Sequence, residues 1–333
     1  MPVTKFLRIT GLLAIAGLVI IVPARADIER PVTRSYQISP GGWLRIDADL
    51  GTIQVNSGAS DELEITVLEI MNTSSEKEAD RILKDLKLGF IQEGGELRVT
   101  ARYNRSGLLD WGGRRLKLRF NATVPARFNL DLHTSGGSIT VGDLEGEVLA
   151  KTSGGSLSFG RIIGPVKAKT SGGSIKLAGG RGDADLITSG GSISIGSVEG
   201  AVAARTSGGG ISLGSATGRA QLATSGGSIS VDAVKGAIEA STSGGGITAA
   251  ITAQPQQPCR LATSGGSIKV HLAPDLRLDI NASTSGGHVH SEFDLLIHGG
   301  MSRSSLQGKL NGGGPELYLR TSGGNITLAK PEL

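Results

Sequence analysis

Covalent cross-linking is almost closed to this chain, since Cys259 is the one cysteine among 333 residues. A single thiol makes no disulfide within the chain, so stability must come from packing and backbone pairing. Cys259 itself reads as a lone surface or half-buried thiol. Aromatic residues are nearly as scarce, at 3%. Beyond residue 133 they are Phe159, Phe293 and Tyr318 alone. That leaves no row of ring platforms for stacking sugars or unpaired bases. Net charge is also missing. Residues 1–26 hold Lys5, Arg8 and Arg25 and no acid, and the remainder carries 31 Lys and Arg against 30 Asp and Glu. A balance of +1 gives no reason to expect nucleic acid or an anionic membrane as partner.

Long apolar runs are lacking too. The one candidate, Gly11–Val22, has 12 residues, and crossing a bilayer takes about 20. Lys5 and Arg8 precede it and Pro23-Ala-Arg-Ala26 follows, which is the pattern of a secretory signal peptide cleaved after Ala26. No cysteine follows for lipid attachment. The expected product is exported, without a transmembrane segment, to the periplasm or to the cell surface in association with the outer membrane.

Glycine is abundant, with 52 residues, and the glycines are periodic. Thr-Ser-Gly-Gly recurs at Thr134, Thr152, Thr170, Thr188, Thr206, Thr224 and Thr242, each step being 18 residues. It returns at Thr263 and Thr284 after steps of 21, and at Thr321 after 37. Fixed self-similarity of this kind marks a stacked repeat architecture. Within the unit Thr134–Lys151, apolar residues fall at positions 6 and 8 and again at 15 and 17. That is a strand period of two, not a helical 3.6. Position 6 is Ile139, Leu157, Ile175 and Ile193 in successive units, and position 17 is mostly Ala. Each unit therefore reads as two short strands and two corners. The corners are Gly136-Gly137, Gly154-Gly155, Gly172-Gly173, Gly190-Gly191 and their copies, with a second glycine at position 13, where positive φ would be free of strain. Thr at position 1 shares the inward parity, so its hydroxyl is expected to bond a corner backbone group.

The fold expected is all-β, a parallel β-solenoid (β-helix), right-handed, of about 18-residue coils. A coil cannot bury its apolar face alone, and open ends would expose strand edges, so both ends need caps. Residues 27–133 are expected to form an N-terminal, mostly-β cap, 134–284 the regular solenoid, and 285–333 irregular last coils with a C-terminal cap. Within the N-terminal cap, Ala79, Ile82, Leu83 and Leu86 have helical spacing, Ser75 and Glu78 fit a capping box, and Gly89 fits a stop. A helix over about 75–88 follows. Gly51-Thr-Ile-Gln-Val55 matches unit positions 4 to 8, so an early coil is expected there.

The stretch Asn121–Val141, which leads into the repeats, resembles the same region of a bacterial β-strand-repeat family known by the name "putative adhesin". The ending Leu306–Leu328 is similar to that family's closing segment. The resemblance covers most of the chain beyond the signal. It implies a β-repeat fold and an envelope or surface location, and carries no functional residues with it.

The chemistry-bearing residues are few. Acids are scattered at corners (Asp143, Glu145, Glu147, Asp183, Asp185), where glycosidic cleavage needs a convergent pair. The turns offer Gly-Gly-Ser-Ile rather than the carboxylate-bearing turn of calcium β-rolls. His288 and His290 share a strand face, with His298 nearby, and two imidazoles at that spacing can share a metal, though no third ligand can be named. Arg181-Gly182-Asp183 spells a short receptor-type tripeptide at an exposed corner. Arg105, Arg114, Arg115, Lys117 and Arg119 form a basic patch, of which Arg114, Arg115, Lys117 and Arg119 could meet an anionic ligand. The plainer reading is the wet face of an edge strand. No cofactor is expected and no catalytic residue can be named. These residues fit a monomeric, non-catalytic envelope protein whose coils form a wall for adhesion or scaffolding, with an envelope protein or polysaccharide as partner. The rivals are a carbohydrate-active β-helix enzyme and a periplasmic signalling or assembly partner.

Overall fold

A computed structural model describes residues 27–104, 115–297 and 302–331. Residues 1–26, expected to be a signal peptide, lie outside the described residues. The chain is all-β, with long parallel ladders. Among the described residues the strands form two sheets of fifteen, which face each other along the whole stack. Through the repeats each coil gives one strand to each sheet. Partners in register lie 18 residues apart, as in Ile175 opposite Ile193 in the first sheet and Ala184 opposite Val202 in the second. Position 6 becomes a buried column: Ile139, Leu157, Ile175, Ile193, Ile211, Ile229, Ile247, Ile268 and Ile326 are at most 2% exposed. Burying one such side chain is worth about 1.5–3 kcal/mol, so the column is a large share of the core.

The predicted threonine bond is present at every Thr-Ser-Gly-Gly corner. Ten threonines, from Thr134 to Thr321, are buried. Each donates its hydroxyl to a glycine carbonyl of the neighbouring coil at 2.7–2.8 Å. Thr188 reaches Gly173. Thr134 reaches Gly51, so the early coil read from Gly51–Val55 is real. Outside this column runs a weaker one, in which serine hydroxyls accept from the backbone N–H of the next coil, as Ser156 does from Ser174 at 3.3 Å.

The corner glycines serve a different purpose from the one expected. Gly137, Gly155, Gly173 and Gly191 do not have positive φ. Closeness requires them instead. A Cβ on Gly155 would lie 2.1 Å from the Gly137 carbonyl oxygen, whereas on Gly154 the nearest atom would be 3.6 Å away. At position 13 the positive φ holds for Gly146, Gly164 and Gly182 but not for Gly200, Gly218 and Gly236. All six have a carbonyl of the adjacent coil within 2.7 Å of where a Cβ would stand.

Cys259 is not the surface or half-buried thiol expected. It is 1% exposed, in the apolar column of the second sheet. The 21-residue step before it adds a loop around Pro255 and keeps the strand in its column. Burial pushes the thiol pKa up, so it is a poor nucleophile.

Chain order and spatial order diverge at both ends. Trp43–Ala48 and Thr52–Gly58 form one coil, and it lies between Asn129–Val141 on one side and the strands Glu96–Tyr103 and Leu116–Pro125 on the other. At the other end the coil of Glu316–Thr321 and Ile326–Ala329 enters between Cys259–Leu272 and the coil Leu278–Ser291. The 37-residue step is therefore a return path. The chain leaves one place vacant, builds the next coil, turns back through the antiparallel strand Ser305–Leu310, and fills the gap last. Antiparallel strands finish the stack: Ile28–Gln37 and Glu62–Met71 on the first sheet, and Leu86–Glu93 on the second.

The helix is shorter than its spacing suggested, Glu76–Leu83. The capping box does not form, because the Ser75 hydroxyl makes no cap bond and Glu78 is drawn to Arg115 at 2.6 Å. Leu86 leaves the helix for the strand Leu86–Glu93, in which Gly89 lies opposite Thr100. The free edge of Glu96–Tyr103 offers eight residues a ladder, which outweighs little more than one further turn of a marginal helix. Ala79 and Ile82 pack the helix on the cap, and inward-facing Glu69, 8% exposed, has its pKa raised by burial.

Two outcomes follow. Gly155→Ala should cost several kcal/mol, about 3 or more, and Gly154→Ala about 1 or less, read by urea denaturation; equal costs would sink the close-approach account. A chain ending at residue 311 should lose hydrogen-exchange protection over residues 278–310 as a unit, because that coil touches the stack only through the missing strands. Protection of 278–310 retained in the shortened chain would contradict the intercalated topology.

Candidate functional site

The outward side chains of the second sheet gather the densest chemistry in the molecule. At its N-terminal end three strands stand side by side: Glu96–Tyr103, Trp43–Ala48 and Asn129–Thr134. Alternation turns Trp43, Arg45, Asp47, Glu96, Arg98, Arg102, Asp131 and His133 to one face. Arg45 bonds Asp131 at 3.0 Å and stacks on the Trp43 ring at 5.0 Å from its centre. Its Nε lies 3.0 Å from Glu96, near enough for an ion pair though not aligned as a hydrogen bond. Arg102 pairs with Asp47 and, at 3.1 Å, with Asp49. Arg98 holds Glu96 at 2.9 Å, and His133 lies 3.2 Å from Asp131. These groups border a surface depression of about 430 Å³.

The electrostatics point one way. Arg102, by hydrogen bond, holds Asp47 below the usual carboxylate range, and Arg98 does the same to Glu96. A general acid in glycoside cleavage must stay protonated near neutral pH. These carboxylates are pushed the other way, so the cluster favours fixed charge over proton transfer.

A second aromatic centre sits near the other end of the same sheet. The Arg260 guanidinium lies over the Tyr318 ring at 4.4 Å, and Arg320 donates to the Tyr318 hydroxyl at 3.3 Å. The hydrogen bond from Arg320, then the nearby positive charges, holds the phenol below its ordinary value.

The residues singled out in the sequence are dispersed. Arg105 and Arg114 lie outside the described residues. Arg115 reaches back to Glu78 on the helix. Lys117 and Arg119 face outward from Leu116–Pro125, on the first sheet. That strand is not an edge: it pairs with Glu62–Met71 on one side and Thr52–Gly58 on the other. His288 and His290 are exposed at the far end of the first sheet, and His298 lies outside the described residues. Among the described residues no three His, Cys, Asp or Glu side chains gather closely enough to hold a metal. In the tripeptide, Arg181 pairs with Glu199 at 3.1 Å and Asp183 accepts from the Ala201 N–H at 2.9 Å, so both bind the next coil. The Trp43 and Tyr318 centres escaped the sequence reading because each is built from strands far apart in the chain. Only the out-of-order coils bring them together.

Comparison with known proteins fits this architecture. Residues 213–329 match the model of a family described as Toastrack DUF4097, in line with the family resemblance of the repeats. No curated protein matches the chain. Among solved structures, one described as a "putative adhesin" from Bacteroides fragilis is 11% identical, covering 90% of this chain and 97% of that one at a TM-score of 0.33. One described as a "putative lipid binding protein" from Parabacteroides distasonis is 12% identical, with the same coverages and a TM-score of 0.38. Likeness at these scores decides neither fold nor activity. Among the described residues no helix is long and apolar enough to cross a membrane.

Asp47 supplies a pH test. Its lowered pKa means that its contribution to stability is full above the ordinary aspartate value of 3.8 and is lost as pH falls through the lower folded value. Asp47→Asn should therefore lower the melting temperature at pH 7, and the gap to the parent should close as the buffer is taken below 3.8. A gap independent of pH would mean that the Arg102 pair contributes nothing.

Proposed function

We propose that this protein is a non-catalytic, exported envelope component whose stacked coils form long flat walls for adhesion or for scaffolding other envelope components. The observation that carries this reading is the unbroken threonine ladder. It fixes every coil to its neighbour and so holds surface groups at set spacings along the stack. Fixed, repeated display suits multivalent attachment more than turnover. The depressed acids of the second sheet weigh against a carbohydrate-active enzyme. We take the coil to be right-handed, the hand of nearly all parallel crossovers. A signalling or assembly role, with the N-terminal unit binding and the coils acting as spacer, draws on the Trp43 and Arg45 centre.

Cell fractionation with protease treatment of intact cells tests the location. The mature chain should sediment with envelopes or be released from the periplasm, with a mass that lacks residues 1–26. A full-length chain confined to the cytosol would end the proposal. Deleting residues 27–133 separates the two binding models, because envelope capture should survive if the coils bind and vanish if the N-terminal unit does.

A further inference from the structure

The outer face of the second sheet holds cations without a carboxylate partner, two of which, Arg260 and Arg320, contact the Tyr318 ring or hydroxyl. Between Asn129–Thr134 and Glu316–Thr321, outward side chains run in two rows along the stack. Lys151, Lys169, Arg205 and Arg320 stand in one row, Lys167 and Arg260 in the other. All six are exposed. Among the described residues none has a carboxylate within ion-pair distance. Of the acids on the same stretch, Asp131 is engaged by Arg45 and His133, Glu239 by Arg219 and Glu316 by Asn281, while the ladder sets Asp185 opposite Lys167 and Glu239 opposite Arg260, beyond ion-pair distance.

Lys151 lies directly opposite Lys169 in the ladder. Like charges at one strand spacing, about 4.8 Å, destabilise a sheet unless an anion lies across them. Lys167 lies opposite Asp185, and the two border a depression of about 340 Å³ with Ala203 and Gln221.

These features select among anions. The nine strands span about 38 Å, eight spacings of about 4.8 Å, or roughly one cation per 6 Å. Duplex DNA carries one charge per about 1.7 Å, and single strands need aromatic platforms. Two rings near the ends of the stretch supply none along it. A polymer with one carboxylate or sulfate per sugar or pair of sugars matches the density, and its hydroxyls suit Gln221 beside the depression. We propose that the outward face of the second sheet binds a linear acidic polysaccharide lying along the stack, with Lys151, Lys167, Lys169, Arg205, Arg260 and Arg320 as partners of its anionic groups. The assignment rests on the binding-wall reading and names the partner of one wall.

The test uses the mature full chain and polygalacturonate, with neutral dextran and duplex DNA as comparisons. Binding to polygalacturonate should weaken steeply with salt. The triple variant Lys151→Gln, Lys169→Gln, Arg205→Gln should bind roughly tenfold more weakly or worse. A triple variant of the first sheet, Arg161→Gln, Lys176→Gln, Lys269→Gln, loses the same net charge and should bind as the parent does. Circular dichroism confirms that both remain folded. The assignment is overturned if the second-sheet variant binds unchanged, if both variants lose equally, or if dextran or DNA binds as tightly. Should the protein bind isolated envelopes but not polygalacturonate, the assignment alone is lost. Binding to neither removes the wall reading with it.

Discussion

One hydrogen bond sets the terms for the rest of the fold: a buried threonine hydroxyl donating to a glycine carbonyl in the adjoining coil. It answers two demands at once. The threonine sits at an inward position, where an unbonded hydroxyl costs free energy. The corner carbonyl would otherwise face a narrow apolar interior. Bond lengths of 2.7–2.8 Å through ten coils mean that corners approach as closely as strands do. That approach leaves no room for a side chain on the second corner residue, so Gly follows from the bond, not from the turn. The ladder is thus continuous around the coil, with the corners stacked as tightly as the sheets.

A stack held this way could still fray from either end, because its last coil is pinned on one side only. The chain prevents this by placing the first coil, Trp43–Gly58, and the last, Glu316–Ala329, in interior positions. To free its C-terminal strands the molecule must open both flanking ladders, to Cys259–Thr263 and to Leu278–Thr284, and break the threonine bonds from Thr321 to Gly266 and from Thr284 to Gly324. The antiparallel strands beyond are spacers that carry the chain to where it can turn back. In folding, the coil Leu278–Ser291 is tied to the parallel stack only once Glu316–Ala329 arrives, its earlier neighbour being the antiparallel strand Ser305–Leu310, so the final fifty residues must assemble together.

Much of this was legible before any coordinates. The period of 18, the inward columns headed by Ile139 and Val148, the threonine bond and the early coil at Gly51 all follow from local parity and turn chemistry, which act within one unit. What stayed hidden depends on relations between units. Nothing in Thr284 and Thr321 reveals that the later residue sits nearer Thr263, because register is identical in adjacent coils. Gly155 looked like a conformational necessity because sequence shows a corner but not what stacks on it. Cys259 looked like a surface thiol until the loop around Pro255 was seen to return its strand to register. Gly89 resembled a helix stop because no window around it discloses the open edge of Glu96–Tyr103. The Trp43 and Tyr318 centres were out of reach for the same reason.

The same logic separates structural charge from charge that is available. In a parallel stack every outward residue has a neighbour from the coil before and the coil after, so a charge can be neutralised by placing its opposite one unit away. The protein does this repeatedly: Arg45 with Asp131, Arg181 with Glu199, Arg219 with Glu239. Against that habit, Lys151, Lys169 and Arg205 on the second sheet have no acid one unit away. An acid at position 187 or 223 would have settled Lys169 or Arg205, and the chain has Ile187 and Ala223 there instead. A fold that pairs so many charges between coils leaves these three open, and the proposed polysaccharide contact rests most heavily on them.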